Sequence, residues 1–299
     1  MKVAVIGMGA MGQKHYTALC SMEDIEIVGL VDPAIDPALP SHPVFSTVKD
    51  LLASQVVDCA IIATPTSTHC DVALELIKSG IHVLIEKPVA KNVSQAHMIR
   101  DLAFDNGCKV AVGYIERFNP AVQTLKKSLE GEKILSCHFT RFSPPPQRIT
   151  DVGVSLDLSV HDIDLAAFLI GSPVKDYSRV FTYPGPKAKE NNATFFLHFD
   201  SSIAIIESSW SHFSGERELK VRTDKSYYEV GLFNGSVSKW TPLPDGSFLH
   251  NDMYLSSPNK KDALTEQLKS FFEYVKLGVA NDIATLYDGT SSLKIALGK

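Results

Sequence analysis

The chain has 299 residues, of which 44% are hydrophobic and 21% charged, and its formal net charge is -5. That length is comfortable for two domains, and the composition is that of an ordinary folded protein. The acidic balance excludes a general basic nucleic-acid footprint, while local arginines and helix N-termini can still bind anions. No apolar run reaches the roughly 20 residues that span a bilayer. Met1-Lys2 runs straight into Val3-Ala4-Val5-Ile6, without room for a signal peptide. Cys20, Cys59, Cys70, Cys108 and Cys137 form no Cys-x-x-Cys pair. Such a set reads as reduced core thiols in a cytoplasmic protein, with no metal site.

In chain order, strands are expected at Lys2–Ile6, Ile25–Val31, Val57–Ala63, Ile81–Glu86 and Lys109–Gly113. Helices fall between them, for example at Met11–Met22, Thr68–Ser79 and Val93–Asn106. Short continuous apolar runs such as Cys59-Ala60-Ile61-Ile62-Ala63 suit a parallel sheet covered on both faces. Alternation of this kind is the mark of a Rossmann-type, doubly wound α/β domain. Beyond Pro120 come a helix at Ala121–Leu129, a strand at Ile134–Phe142, the turn-rich Ser143-Pro144-Pro145-Pro146 and a helix at Ser155–Ile170. From Tyr177 to Trp240 strand follows strand, with period-2 alternation in Glu218-Leu219-Lys220-Val221. That pattern implies a largely antiparallel sheet with one wet face. Helices at Asp262–Gly278 and Gly289–Leu297 close the chain. Two domains are expected, 1–118 and 119–299, the final helix packing back towards the first.

Gly7-Met8-Gly9-Ala10-Met11-Gly12 follows a strand and opens a helix. The first glycine allows a tight turn, the second lets backbone approach a pyrophosphate, and the third lets helix and strand pack closely. Asp32 lies 20 residues after Gly12, where a carboxylate reaches adenosine ribose hydroxyls. The alternative on the residues alone is a carboxylate that caps the loop before Pro33. No arginine or lysine stands in Pro33-Ala34-Ile35 to neutralise a 2′-phosphate, which favours NAD over NADP.

Two further clusters could carry chemistry. Glu86-Lys87-Pro88 ends a strand at the carboxyl edge of the sheet, where open α/β sheets bind ligands. Lys87 could donate to a substrate oxygen, or be a surface lysine before a turn. On one helix, Asp157, His161 and Asp164 would share a face at i, i+4 and i+7, beside an apolar face of Leu156, Val160, Ile163 and Ala167. A carboxylate one turn before a histidine can orient the ring and stabilise its protonated form. The alternative is a surface histidine in a local ion pair.

The glycine motif, Ala63-Thr64-Pro65, Glu86-Lys87-Pro88 and Asp157-x-x-x-His161 together resemble the glucose-fructose oxidoreductase / inositol dehydrogenase family over essentially the whole chain. The resemblance implies hydride transfer between NAD and a sugar-like substrate. In that reading Lys87 and His161 flank the hydride-transfer centre, Asp157 assists, and Thr64, Pro65 and His69 run alongside the cofactor. It also implies that 1–118 is an NAD-binding Rossmann domain and 119–299 a substrate-binding and oligomerisation domain, an α/β domain whose open, mostly antiparallel sheet forms a homo-oligomer. The stretches at 113–122 and 148–154 are similar to the branch containing UDP-N-acetylglucosamine 3-dehydrogenases. This likeness implies oxidation of a sugar C3 hydroxyl to a ketone that an aminotransferase can consume, with Arg117, Asn119 and Arg148 contacting substrate alongside Asp157 and His161. A free polyol, inositol or dihydrodiol is the alternative substrate, and a non-catalytic NAD-binding sensor the alternative role.

Overall fold

Strands buried on both faces need unbroken apolar runs, and Val3, Ala4, Val5, Cys59, Ala60, Ile61 and Ile62 are all 0% exposed. The computed structural model describes residues 1–35, 41–146, 152–185, 188–254 and 262–299. Its first part runs β1 (Lys2–Ile6), α1 (Ala10–Cys20), β2 (Glu26–Val31), β3 (Val44–Phe45), α2 (Val48–Ser54), β4 (Cys59–Ile62), α3 (His69–Lys78), β5 (His82–Glu86), α4 (Val93–Asp105) and β6 (Val110–Gly113). The second part runs α5 (Pro120–Ser128), β7 (Ile134–Phe142), α6 (Val160–Ile170), β8 (Asp176–Thr182), β9 (Asn192–His198), β10 (Ile203–Ser209), β11 (Glu216–Thr223), β12 (Tyr227–Gly231), β13 (Ser236–Pro242) and β14 (Phe248–Tyr254). The chain ends with α7 (Ala263–Leu277), β15 (Ala284–Thr285) and α8 (Leu286–Leu297).

The first sheet has the order β15-β6-β5-β4-β1-β2-β3. All its neighbours are parallel except β15, which pairs antiparallel with β6. Strand order reverses between β1 and β4, and the crevice outside the carboxyl ends at such a point is where doubly wound sheets bind ligands. The second sheet has the order β14-β13-β12-β11-β7-β10-β9-β8. It is antiparallel apart from the β7/β10 pair. Along its strands alternate residues are covered, as with Phe139, Phe195, Leu197, Leu219 and Val221 at 0% exposure.

Several elements differ from expectation. The two-residue strands β3 and β15 are too short to show a period. Helix α2 starts at a cap in which Asp50 N–H donates to Thr47 Oγ1 at 3.1 Å. Helix α8 begins at Leu286 rather than Gly289, because Thr285 and Asp288 form a capping pair in which Thr285 N–H donates to Asp288 Oδ2 at 2.8 Å. Gly289 is inside that helix, where a Cβ would lie 2.5 Å from Val112 Cγ2.

The chain divides into two compact units that are not consecutive in sequence. One is Met1–Ile115 with Leu264–Lys294, the other Glu116–Ala263 with Ile295–Lys299. The expected boundary at 118/119 is therefore crossed a second time: α7, β15 and most of α8 join the first unit, held there by the β15–β6 pairing. Four of the cysteines are buried, but Cys20, at the end of α1, is exposed and is no core thiol. Burial pushes the Cys59 and Cys137 thiols up to about 12, so both stay protonated. Among the described residues no helix is long and apolar enough to cross a membrane.

Candidate active site

The glycine loop joins β1 to α1, and its three glycines meet three different demands. Gly7 has φ +90°, and a Cβ there would come within 2.8 Å of the Ala63 and Thr64 backbone. A Cβ on Gly12 would come within 1.8 Å of the Gly7 carbonyl oxygen. Around Gly9 a Cβ would meet nothing within 4 Å, so this glycine leaves open room. Gly9 and Ala10 are exposed at the amino end of α1, and Met11 is half-buried. That end has no side-chain cap and no acidic residue in its first turn. Open space beside uncapped helical N–H groups is what a pyrophosphate requires, so these residues fit a dinucleotide.

Asp32 follows β2 and is half-buried. Its Oδ2 accepts from Met8 N–H at 2.7 Å and its Oδ1 from Ala34 N–H at 2.9 Å. The carboxylate thus caps its own loop and also braces the glycine loop. A carboxylate has about four acceptor sites, which leaves capacity for ribose hydroxyls.

Two more loops rise from the same sheet edge. Thr64 is half-buried and Pro65 exposed, while His69 opens α3 at 1% exposure. The His69 Nδ1 and Nε2 lie 2.9 Å from the Pro88 and Thr64 carbonyl oxygens respectively. Glu86 ends β5 at 8% exposure and accepts from His15 Nε2–H at 2.7 Å. His15, on α1, is 0% exposed. Lys87 is half-buried between Glu86 and a buried Pro88, and the Lys87–Pro88 peptide is cis.

In the second unit the governing feature is a buried charge network. Arg141 occupies the covered phase of β7 beside Phe139 and is 2% exposed. Its Nε and Nη2 donate to Asp162 Oδ2 and Oδ1 at 2.8 and 2.6 Å, and its Nη1 to Glu116 Oε1 at 3.0 Å. Arg217 Nη1 donates to the same Glu116 oxygen at 3.1 Å, and Asn119 Nδ2 to Glu116 Oε2 at 3.0 Å. Arg117 forks onto Asp164 through Nε and Nη2, both at 2.7 Å. Glu116, Asp162 and Asp164 thus balance Arg117, Arg141 and Arg217. Burial works against the Arg141 charge, but Asp162 and Glu116 more than offset it and raise its pKa. Burial likewise pushes the Glu116 carboxyl up, and Arg141, Arg217 and Asn119 outweigh it, holding that group below the ordinary 4.5.

Asp162 and Asp164 both lie on α6, so the network fixes the helix that carries the half-buried His161. The helix expected to carry Asp157, His161 and Asp164 is not regular along its whole length. Ser155–Ser159 is a π-helical turn, with Val160 N–H reaching back to Ser155 O, and only then does α6 begin. The wider turn shifts the phase, leaving Asp157 half-buried within it while Asp164 turns to Arg117. Glu190 holds the start of the turn, accepting from Ser155 N–H at 3.3 Å and from the Ser155 hydroxyl. Single π turns inside helices are frequent at functional sites.

Residues 1–114 match the model of an oxidoreductase family with an NAD-binding Rossmann fold, and residues 133–229 match the GFO/IDH/MocA C-terminal domain. UDP-N-acetylglucosamine 3-dehydrogenase of Acidithiobacillus ferrooxidans is 32% identical over 244 residues, covering 79% of this chain and 76% of that one. The chain belongs to the GFO/IDH/MocA oxidoreductase family. It is an NAD-dependent dehydrogenase, and its cofactor is NAD. The scyllo-inositol 2-dehydrogenase (NAD(+)) of Bacillus subtilis is 25% identical over 99% of this chain and 92% of that one. Among solved structures, the A. ferrooxidans UDP-N-acetylglucosamine 3-dehydrogenase aligns with a TM-score of 0.89 at 25% identity, covering 100% of this chain and 96% of that one. Levoglucosan dehydrogenase in complex with NADH shares the fold at a TM-score of 0.86 and 18% identity, covering 99% of this chain and 95% of that one.

Within this family frame, the structure gathers Gly7, Gly9, Gly12, Asp32, Thr64, His69, Glu86 and Lys87 in one unit, and Asp157 and His161 in the other. Arg117 and Asn119, expected at substrate, are engaged inside the protein. Arg117 holds Asp164, and Asn119 caps α5 by accepting from Ala121 N–H at 3.0 Å while binding Glu116. Arg148 lies outside the described residues. Sequence reasoning missed Glu116, Arg141, Asp162, Arg217 and His15. Arg141 had a readable signal: it follows Cys137 and Phe139 at period 2 on a covered face, where a guanidinium demands carboxylates.

Removing one member of such a buried pair costs about 3–5 kcal/mol, so Arg141→Leu lowers unfolding stability by that order in urea titration. The Glu116 contribution is present above the ordinary carboxyl pKa and is lost as pH falls through its depressed folded value. Glu116→Gln therefore flattens the acid limb of the stability–pH curve; an acid limb unchanged from the native protein contradicts the ionised network. For the cofactor, Asp32→Ala combined with Ala34→Arg moves the binding preference from NADH towards NADPH in fluorescence titrations. An unchanged ratio of the two dissociation constants removes Asp32 from the ribose.

Proposed function

We propose that this GFO/IDH/MocA dehydrogenase oxidises the C3 hydroxyl of a nucleotide sugar, UDP-N-acetylglucosamine, to the 3-keto sugar. The observation that carries this reading is the 32% identity to the A. ferrooxidans UDP-N-acetylglucosamine 3-dehydrogenase across 79% of the chain. The 0.89 TM-score of that enzyme's structure supports it. The second reading is an inositol or other free polyol, favoured by 25% identity to scyllo-inositol 2-dehydrogenase over 99% of the chain.

When bound, NAD supplies the nicotinamide that accepts the hydride. The protein's own part is proton management and orientation. His161 takes the hydroxyl proton, and Lys87 donates a hydrogen bond to the same oxygen as charge develops on it. Asp157, in the π turn before His161, supports the protonated ring. Well-placed acid–base help of this kind is worth about 10²–10⁴-fold in rate. Gly7, Gly9, Ala10, Met11 and Gly12 cradle the pyrophosphate, Asp32 binds the ribose, and Thr64, Pro65 and His69 line the cofactor's course. The product is a ketone, which suits a downstream aminotransferase.

A homo-oligomer is the assembly we favour. The uncovered face of the second sheet carries Val180, Phe196 and Ile203 at 62%, 40% and 46% exposure, an apolar strip that a second copy would cover.

Reduced-nicotinamide absorbance separates the readings when protein and NAD are mixed with UDP-N-acetylglucosamine, myo-inositol or glucose, an aminotransferase drawing off ketone. A rise with the nucleotide sugar alone is expected; a rise only with myo-inositol or glucose overturns the substrate. His161→Ala should lower turnover by about 10²-fold or more while NADH still binds. Turnover within a few-fold of native removes His161 from the chemistry.

A further inference from the structure

The turn Glu86-Lys87-Pro88 is gripped on both sides by buried histidines from two different helices. On one side, His15 Nε2–H donates to Glu86 Oε1 at 2.7 Å, with the His15 ring 0% and Glu86 8% exposed. Among the described residues His15 Nδ1 has no partner, so Glu86 is the polar contact of that ring. The Glu86 carboxylate also defines its neighbour: a Cβ on Gly113, its partner across β5–β6, would lie 2.9 Å from the carboxyl carbon. On the other side, the 1% exposed His69 lies 2.9 Å from the Pro88 carbonyl through Nδ1 and 2.9 Å from the Thr64 carbonyl through Nε2. A neutral imidazole has one N–H, so the ring donates to one of these two carbonyls, the choice depending on its tautomer.

Burying two imidazoles and a carboxylate costs free energy unless each is satisfied, and a plain turn before a proline requires none of them. What the three achieve together is to tether the residue before Lys87 to α1 and the residue after it to the start of α3. Lysine carries a flexible four-carbon stem, so fixing its backbone from both sides settles where that stem begins. Helix α1 also bears the glycine loop at its amino end, and Thr64 abuts Gly7. All three loops of the sheet edge are thereby tied to one another.

We propose that His15 and His69 are positioning residues for Lys87, forming a two-sided clamp that sets the lysine at the sheet edge. The proposal rests on the reading of Lys87 as a donor to the substrate oxygen. His15 acts through Glu86, and His69 through the Pro88 carbonyl.

Four variants test it, with Lys87→Met as the reference. His15→Phe fills the ring's place without a donor, whereas His15→Gln returns an N–H near the Nε2 position. His69→Phe removes the ring nitrogens, and His69→Gln returns a side-chain N–H. The substrate-independent readout is the rate at which acetic anhydride labels Lys87 relative to the exposed Lys91, followed by mass spectrometry, with NADH affinity and thermal melting as checks of folding. Both Phe variants should raise the Lys87/Lys91 ratio, His15→Phe by about tenfold, the factor expected when one hydrogen bond to a charged group is lost. His15→Gln should restore most of it and His69→Gln part of it. Where a substrate is turned over, kcat falls in the Phe variants with KM little changed, and His15→Gln recovers it.

A labelling ratio in both Phe variants equal to the native one overturns the clamp, even if Lys87→Met abolishes turnover and so upholds the lysine's role. The reverse result, native turnover in Lys87→Met with an altered ratio in the Phe variants, removes the role of Lys87 and leaves the clamp as a property of the turn. If the Phe variants fail to fold, a native ratio in His69→Gln overturns the part assigned to His69, and a ratio in His15→Gln unlike the native one overturns the part assigned to the His15 donor.

Discussion

A permanently charged guanidinium inside the second unit sets the terms for everything around it. Arg141 is 2% exposed and cannot shed its charge, so the chain must bring carboxylates to it. It does so from two directions, with Asp162 on α6 and Glu116 in the short turn ahead of α5. Asp164 adds a second fork, to Arg117, along the same helix. A bidentate fork fixes orientation as well as distance, and two forks on one helix fix its rotation about its axis. That rotation decides where His161 stands. A buried ion network is weak evidence for net stability; its consequence here is geometric.

The first unit solves a different problem with different means. Three glycines let backbone approach backbone at Gly7 and Gly12 and leave space at Gly9, while Asp32 braces the loop by accepting from Met8 N–H. The precision comes from missing side chains rather than from charge. An open helix N-terminus beside a carboxylate serves both ends of an adenosine diphosphate, the pyrophosphate by dipole and N–H groups, the ribose by an acceptor.

Much of this could be read in advance because parallel strands advertise themselves. Runs such as Cys59-Ala60-Ile61-Ile62 have no wet face, so the succession of strands along the chain and the place of the glycine loop follow from local pattern. The period-2 stretch at Leu219 and Val221 likewise marked the second sheet. The π turn at Ser155–Ser159 was not legible, because a one-residue change of helical phase leaves no mark in the apolar pattern. Nor were the carboxylate partners, since which acid meets Arg141 depends on contacts between residues 21 and 25 positions apart. Arg117 and Asn119 were expected at the substrate because the stretch at 113–122 resembles the UDP-N-acetylglucosamine 3-dehydrogenase branch. The burial of Arg117 and the pairing of the two residues with Asp164 and Glu116 could come only from the fold. The return of α7 and β15 to the first unit is also a tertiary fact, fixed by two residues of β15 pairing with β6.

The claim on which the functional account stands is that hydride leaves the sugar C3 for the nicotinamide. UDP-N-acetylglucosamine carrying deuterium at C3, incubated with the protein and NAD, tests it directly by mass spectrometry of the NADH formed. The account predicts that the NADH carries the deuterium, with a slower rate than for the unlabelled sugar wherever hydride transfer limits turnover. NADH formed from this substrate without deuterium contradicts oxidation at that carbon, and no NADH at all beside turnover of an inositol contradicts the nucleotide-sugar assignment.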